Sequence, residues 1–178
     1  MTELLLVRHG ETDWNSQGRF QGHADPPLNE AGRRQARELA LELEQVDFDV
    51  VYTSDLQRAL ETAEIIVAGR GVPLTVDPGL REIDVGSWSG LTRAEIEERF
   101  PGASEHDGES REAHLERVLS TVERIAEAHP RERVLIVSHG GSLRTLRRHA
   151  LKLDSVPRID HCVVYELAFR DGVVCGID

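Results

Sequence analysis

Two short segments of this chain carry residue types that could transfer a phosphoryl group. Arg8-His9-Gly10-Glu11 follows the apolar run Leu4-Leu5-Leu6-Val7, and Ser138-His139-Gly140-Gly141 follows Val134-Leu135-Ile136-Val137. A histidine with one unprotonated ring nitrogen can attack phosphorus, provided a backbone carbonyl such as that of Gly10 or Glu11 holds the other nitrogen. An arginine fork suits the oxygens of a phosphate. Glycine after each histidine lets amides approach an anion, since no Cβ stands in the way. Either segment alone is a weak signal. Two histidines at the ends of two apolar runs, each followed by glycine, point to one site built from distant parts of the chain.

The elements that must position these residues are legible in the pattern. Short aliphatic runs bounded by glycine read as buried strands, and open α/β sheets place ligands at the carboxyl ends of such strands. Strands are predicted at 3–8, 49–53, 73–76, 133–138 and 162–169, with a further short one at 172–176. Between them lie amphipathic patterns at 29–45, 55–68, 92–99, 110–128 and 141–151, with Asn29 and Ser110 as N-caps and Thr92 with Glu95 as a capping box. Strands alternating with helices predict a mainly parallel sheet covered on both faces. The polar stretch 101–109 is expected to be a loop near the site, a candidate lid.

The chemistry reaches a family through ordered blocks. Leu6-Val7-Arg8-His9-Gly10-Glu11-Thr12, Trp14-Asn15, Gly22, Asp25-Pro26-Pro27-Leu28, Thr53-Ser54-Asp55-Leu56-Gln57-Arg58-Ala59, Leu80-Arg81-Glu82-Ile83 and Val137-Ser138-His139-Gly140-Gly141 together resemble the histidine phosphatase superfamily, also called phosphoglycerate mutase-like. The resemblance runs from residue 3 to about 150. It implies an α/β fold, a three-layer α/β/α sandwich with a mainly parallel central sheet, and residues 1–178 as a single domain with a lid or specificity region at about 89–117. It also assigns roles. His9 would be the nucleophile, forming a phosphohistidine, with Arg8, Arg58 and His139 around the transferring group. Glu82 would be the general acid, kept protonated by a nearby anionic substrate. Asn15, Gln21, Gly22 and Gly140 would contact the phosphate or the substrate beside it. Glu11 matches the motif in either a catalytic or a structural role. Where many relatives have tryptophan, this chain has His23.

The rest of the composition bounds the partners. A net charge of −11 and a pI near 5.2 argue against a nucleic-acid partner or a polybasic membrane anchor, so a phosphate site must be a local positive island. The chain holds 20 arginines and the single lysine Lys152, which makes arginine abundance alone uninformative. Cys162 and Cys175 are expected to be buried, reduced thiols in neighbouring strands. No signal peptide or membrane span is evident, and the expected setting is the cytoplasm. His106, His114, His129, His149 and His161 show no ligand spacing, and surface or core positions are expected for them. No cluster reads as a metal site, and the chemistry calls for neither metal nor cofactor.

A phosphatase acting on a small phosphorylated metabolite is favoured over a cofactor-dependent phosphoglycerate mutase, because Glu82 and His139 are only 57 positions apart. The stretch 89–117 also carries four arginines against eight acids, a poor clamp for a doubly phosphorylated species. Gly108-Glu109-Ser110 resembles an element of short broad-specificity and α-ribazole-phosphate phosphatases. A non-catalytic phosphate-binding module is disfavoured, since Arg8, His9, Arg58, Glu82 and His139 are all present. A homodimer is left open.

Overall fold

The computed structural model describes residues 1–177. At its centre two parallel strands, β1 (Thr2–Arg8) and β4 (Arg133–Ser138), lie side by side. Both are apolar at consecutive positions because helices cover both faces of the sheet. On one side β2 (Val50–Thr53) pairs with β4, and β3 (Leu74–Val76) pairs with β2, all in parallel. On the other side β5 (Val164–Arg170) and β6 (Val173–Cys175) run antiparallel. The order is β3-β2-β4-β1-β5-β6, the mainly parallel sheet anticipated from the sequence.

Six helices surround it: α1 (Asp13–Ser16), α2 (Glu30–Glu42), α3 (Gln57–Val67), α4 (Arg93–Arg99), α5 (Arg111–Ala128) and α6 (Gly140–Ala150). The predicted caps form: Asn29, Thr92 and Ser110 each accept a backbone N–H three residues on, and Glu95 completes its box. α3 starts two residues later than the pattern suggested, because Leu56 stays extended and Asp25 Oδ2 accepts the N–H of Gln57. The single turn α1, closed by a Thr12–Asn15 capping box, was not anticipated. β5 begins later than expected, since Cys162 sits at φ 51°, outside the extended range.

Side-chain alternation divides the core in two. Leu5, Val7, Leu135 and Val137 pack against α2 and α3 through Ala36, Leu39, Ala59, Ala63 and Ile66. Leu4, Leu6, Val134 and Ile136 pack against α5 and α6 through Val118, Val122, Ile125, Leu143 and Leu146. The result is the three-layer α/β/α sandwich. A third cluster of Val85, Trp88, Leu91 and Ile96 supports the lid region, with Phe20 against it. The two cysteines are free, but only Cys175 lies in a strand, and it is half-buried. Among the described residues no helix is long and apolar enough to cross a membrane.

The helix after β1 packs on one face and the helix after β4 on the other. The carboxyl ends of these two neighbours therefore open a crevice between them, the position where open α/β sheets bind ligands. Two glycines let α2 close against one wall. A Cβ on Gly10 would meet Gly32 O at 2.5 Å, and one on Gly32 would overlap Glu11 O and meet Glu11 N at 2.7 Å. Gly32→Ala is expected to destabilise the fold by about 1–3 kcal/mol, the range for forcing a methyl into packed structure. A lowered urea midpoint with unchanged m-value checks this; an unchanged midpoint would mean that the His9–Glu11 backbone yields freely.

Candidate active site

Strand register brings the two histidines together. Arg8 is level with Ser138 across β1 and β4, and His9 N–H donates to Ser138 O at 3.0 Å. The next residues, His9 and His139, then leave the sheet side by side, with ring centroids 5.2 Å apart. His9 is 2% exposed and His139 fully buried. His9 Nδ1–H donates to Gly10 O at 2.7 Å, the anticipated carbonyl, which leaves the lone pair on Nε2. Burial, with the charges of Arg58 and Arg8, holds the His9 pKa well below the usual imidazole value. His139 is held low in the same way by burial, then Arg58 and His9. Both rings are neutral at pH 7.

The cations around them are buried as well. Arg8 Nη1 donates to Ile159 O at 2.8 Å. Arg58, 1% exposed and in the first turn of α3, donates from Nη2 to Gly22 O at 2.8 Å and from Nη1 to Ala24 O at 2.7 Å. Burial pulls both guanidiniums down to about 10, with Glu82 the main opposing charge, so they remain cationic. Several buried nitrogens round His9 have no partner among the described residues: Arg8 Nε, Arg58 Nε, His161 Nε2 and both ring nitrogens of His139. Buried polar atoms are rarely left unpaired in proteins. A cluster of unpaired nitrogens beside one cleft suits an anion with several oxygens.

Glu82 lies on the far side of this cluster, at the N-terminus of α6. Its Oε2 accepts the Gly141 N–H at 2.8 Å and its Oε1 accepts its neighbour Ile83 N–H at 2.9 Å. Any side chain at Gly141 would collide with the carboxylate, and a Cβ at Gly140 would come within 3.0 Å of Arg8 Nε. Both glycines are therefore needed for close approach. The Gly108-Glu109-Ser110 element acts here from a distance: Glu109 binds the Arg117 fork at 2.6 and 2.8 Å, and Arg117 donates to the carbonyls of Gly79, Arg81 and Glu82.

Asn15, Gln21 and Gly22 line the same cleft, whose volume is about 1100 Å³. Asn15 Oδ1 accepts from Thr12 N at 3.1 Å, and Gly22, at φ 50°, fits beneath Val85 only because it has no Cβ. Glu11 is turned away from His9 and accepts from Asn29 Nδ2, a structural contact. His23 Nε2–H donates to Glu82 O, fixing the backbone of that residue. The segment 101–109 is pinned to the body of the protein: Asp107 Oδ1 accepts from Ser87, and Glu109 N–H donates to Asp84 O.

The charge that the stretch 89–117 presents to the cleft differs from its residue count. Glu95 is bound to Arg19, Asp107 to Ser87 and Glu109 to Arg117, while Glu112 is the only lid acid that lines the cleft. Arg93 and Arg111 line it too, with Arg144, Arg148 and Lys152 opposite. The cleft is cationic inside an acidic protein.

Of the five histidines expected at surface or core positions, His106, His114 and His149 line the cleft and His161 lies against His9. His161 Nδ1–H donates to His9 O at 2.7 Å and its ring stands edge-on to His9, with centroids 5.6 Å apart. His114, on α5, reaches Ser142 beside Glu82. His161 comes to the site because β5 runs antiparallel to β1 and begins at the site edge, which no sequence pattern announced. Nothing in the sequence pattern distinguished His114 from an ordinary core residue.

The fold and site define an α/β protein with a cleft of buried arginines and neutral histidines at the carboxyl ends of its two central strands. The chain belongs to the histidine phosphatase superfamily (branch 1), whose family model matches residues 4–174. It is 38% identical over 185 residues to a metal-independent phosphoserine phosphatase of Arabidopsis thaliana, covering 96% of this chain and 78% of the relative. The solved structure of Bacillus stearothermophilus YhfR superposes with a TM-score of 0.89 at 38% identity, covering 98% and 94% of the two chains. A mycobacterial glucosyl-3-phosphoglycerate phosphatase complexed with VO3 superposes with a TM-score of 0.85 at 32% identity, covering 93% and 92%. A phosphoglycerate mutase-like protein and a 2,3-bisphosphoglycerate-dependent phosphoglycerate mutase are also among its relatives.

The buried histidines make stability depend on pH. Burial, then Arg8, brings His161 down to about 4, and His9 and His139 shift in the same direction. As pH falls below about 6.5 the unfolded chain takes up protons that the native rings refuse. Stability contributed by these rings is present above about 6.5 and is lost as pH falls towards 4. The melting temperature should therefore drop between pH of about 7 and about 5, and His161→Asn should flatten that slope. A slope equal to that of the wild type would show that folding does not lower the His161 pKa, so that the ring takes up its proton equally in both states.

Proposed function

We propose that the protein is a phosphomonoester hydrolase that works through a phosphohistidine on His9 and acts on a small phosphorylated metabolite. The observation that carries this reading is His9 itself: a neutral ring, anchored at Nδ1, with Nε2 turned towards a ring of unpartnered cationic and imidazole nitrogens. Nε2 attacks phosphorus while Arg8, Arg58, His139 and the Gly140 amide meet the charge on the equatorial oxygens. Glu82 gives its proton to the leaving oxygen as the P–O bond breaks. It takes a proton back from the water that then attacks the phosphohistidine. Asn15, Gln21 and Gly22 hold the phosphate side of the substrate. Residues 1–178 act as one catalytic domain, with 89–117 as its lid. Two free thiols suit a reducing cytoplasm.

The mutase reading is less well supported. The phosphatase names among the relatives and the short span between Glu82 and His139 favour hydrolysis. Turnover without added metal, unchanged by EDTA, is the expected outcome on phosphomonoesters. His9→Ala should lose about 10³-fold or more in kcat, because it removes the nucleophile, and quenched turnover should trap an acid-labile phosphoenzyme on His9. Label on another residue, or activity restored only by a divalent ion, would overturn the mechanism.

The substrate is a phosphorylated carboxylic acid. Phosphoserine and glucosyl-3-phosphoglycerate, named for two of the relatives, both carry a carboxylate. In this chain Arg144 and Arg158 line a 370 Å³ arm of the cleft beside Arg8, Glu82 and Gly141. No hydrogen bond or ion pair among the described residues engages either one, so both forks are free for a second anionic group. Arg144→Ala should raise KM for phosphoserine by about 10-fold, the effect of one charge-assisted hydrogen bond, and leave p-nitrophenyl phosphate nearly unchanged. Equal losses on both substrates would place Arg144 at the phosphoryl group instead.

A further inference from the structure

The mechanism leaves one buried titratable group beside the proposed acid without a role. His114 projects from α5 and is 2% exposed. Its Nε2 lies 3.0 Å from Ser142 Oγ and 4.0 Å from Glu82 Oε1. Ser142 is fully buried in the first turn of α6, and its single hydroxyl proton faces two acceptors. Arg81 O is at 2.9 Å, and Glu82 Oε1 is at 3.4 Å. The shorter contact takes the proton, so Ser142 Oγ accepts from His114 Nε2–H. That assigns the tautomer of His114. It also leaves the Ser142 contact to Glu82 Oε1 weak, beside the Ile83 N–H that the same oxygen accepts at 2.9 Å, and a small hydroxyl rotation would strengthen it.

We infer that His114 and Ser142 form a positioning pair for Glu82, in which the Ser142 hydroxyl answers the protonation state of the acid. While Glu82 is protonated, the hydroxyl donates to Arg81 O and Glu82 is free to aim its proton at the leaving oxygen. Once that proton has gone, the hydroxyl turns to the new carboxylate, and His114 Nε2–H, still donating to Oγ, keeps the oxygen from being left unpaired. No bond to hydrogen is broken in this exchange. The proton that Glu82 lost comes back from water, and His114 stays neutral throughout. Burial favours that neutral state, with Glu82 and Glu109 opposing it and Arg117 and His23 supporting it. A buried hydroxyl bound on one side only would be left unpaired when its partner changes, which is the reason for a second donor at this spot.

This inference rests on Glu82 being the general acid, and its test separates the two. His114→Leu, His114→Gln and Ser142→Ala are compared with Glu82→Gln on an alkyl phosphate, whose leaving group needs a proton, and on p-nitrophenyl phosphate, whose leaving group does not. His114→Leu and Ser142→Ala should each lower kcat on the alkyl phosphate by about 10-fold, the low end of what general acid catalysis supplies. KM, vanadate affinity and kcat on p-nitrophenyl phosphate should stay within about two-fold, and His114→Gln, which keeps an N–H donor, should recover most of the loss. Equal losses on both substrates, a loss expressed in KM, or no loss with alkyl phosphate in Ser142→Ala would overturn the inference while leaving the acid in place. Failure of Glu82→Gln to distinguish the substrates would overturn the reading beneath it. Ser142→Ala carries the test should His114→Leu fail to fold.

Discussion

The parallel pairing of β1 with β4 is the constraint on which the rest depends. It sits at the centre of the sheet, buried on both faces, and its register makes Arg8 level with Ser138. Everything that could act on a phosphate is hung from those two ends. His9 and His139 leave the sheet together, Gly140 starts the helix that receives Glu82, and the Arg8 carbonyl accepts from Cys162 to bring His161 alongside. A slip of one residue would turn every core side chain to the wrong face, so the apolar contacts of both layers hold the histidines in register.

Burial of charge is the second organising fact. Arg8 and Arg58 are taken out of water without a close carboxylate partner, apart from Asp25 at 3.6 Å from Arg58. Isolated buried cations are costly. Part of that cost is offset by carbonyls: Gly22 and Ala24 accept from Arg58, and Ile159 from Arg8. The remainder is relieved when an anion arrives. The histidines remain neutral because burial disfavours a charged ring and the same cations would repel a proton, and a neutral ring is what nucleophilic attack on the proposed substrate would require.

The cleft shows why net charge says little about a local site. An acidic chain builds a cationic groove by spending its acids elsewhere, in ion pairs such as Arg19–Glu95 and Arg117–Glu109. The counted charge of the lid suggested a surface that repels anions. Side-chain direction reverses that, since Arg93 and Arg111 turn inward and most of the acids are engaged or face solvent. Arg117 is itself used structurally, bracing the carbonyls on either side of Glu82, so that an arginine abundant in the sequence acts far from any ligand.

Much of this was determined by the sequence alone, because the signals concerned are local. Consecutive aliphatics marked the strands, Asn29, Thr92 and Ser110 marked helix starts, and ordered blocks around His9, Arg58, Glu82 and His139 marked the family. The tautomer of His9 could be anticipated, since a carbonyl one residue away is within reach of any such ring. What tertiary structure alone decided are contacts between residues far apart in sequence. His161 reaches His9 only because β5 runs antiparallel and begins at the site edge. His114 reaches Ser142 only because α5 and α6 pack on the same face of the sheet. Neither residue is distinguished by its neighbours in the chain, because periodicity reports which face a residue occupies and not what the opposing element brings to meet it.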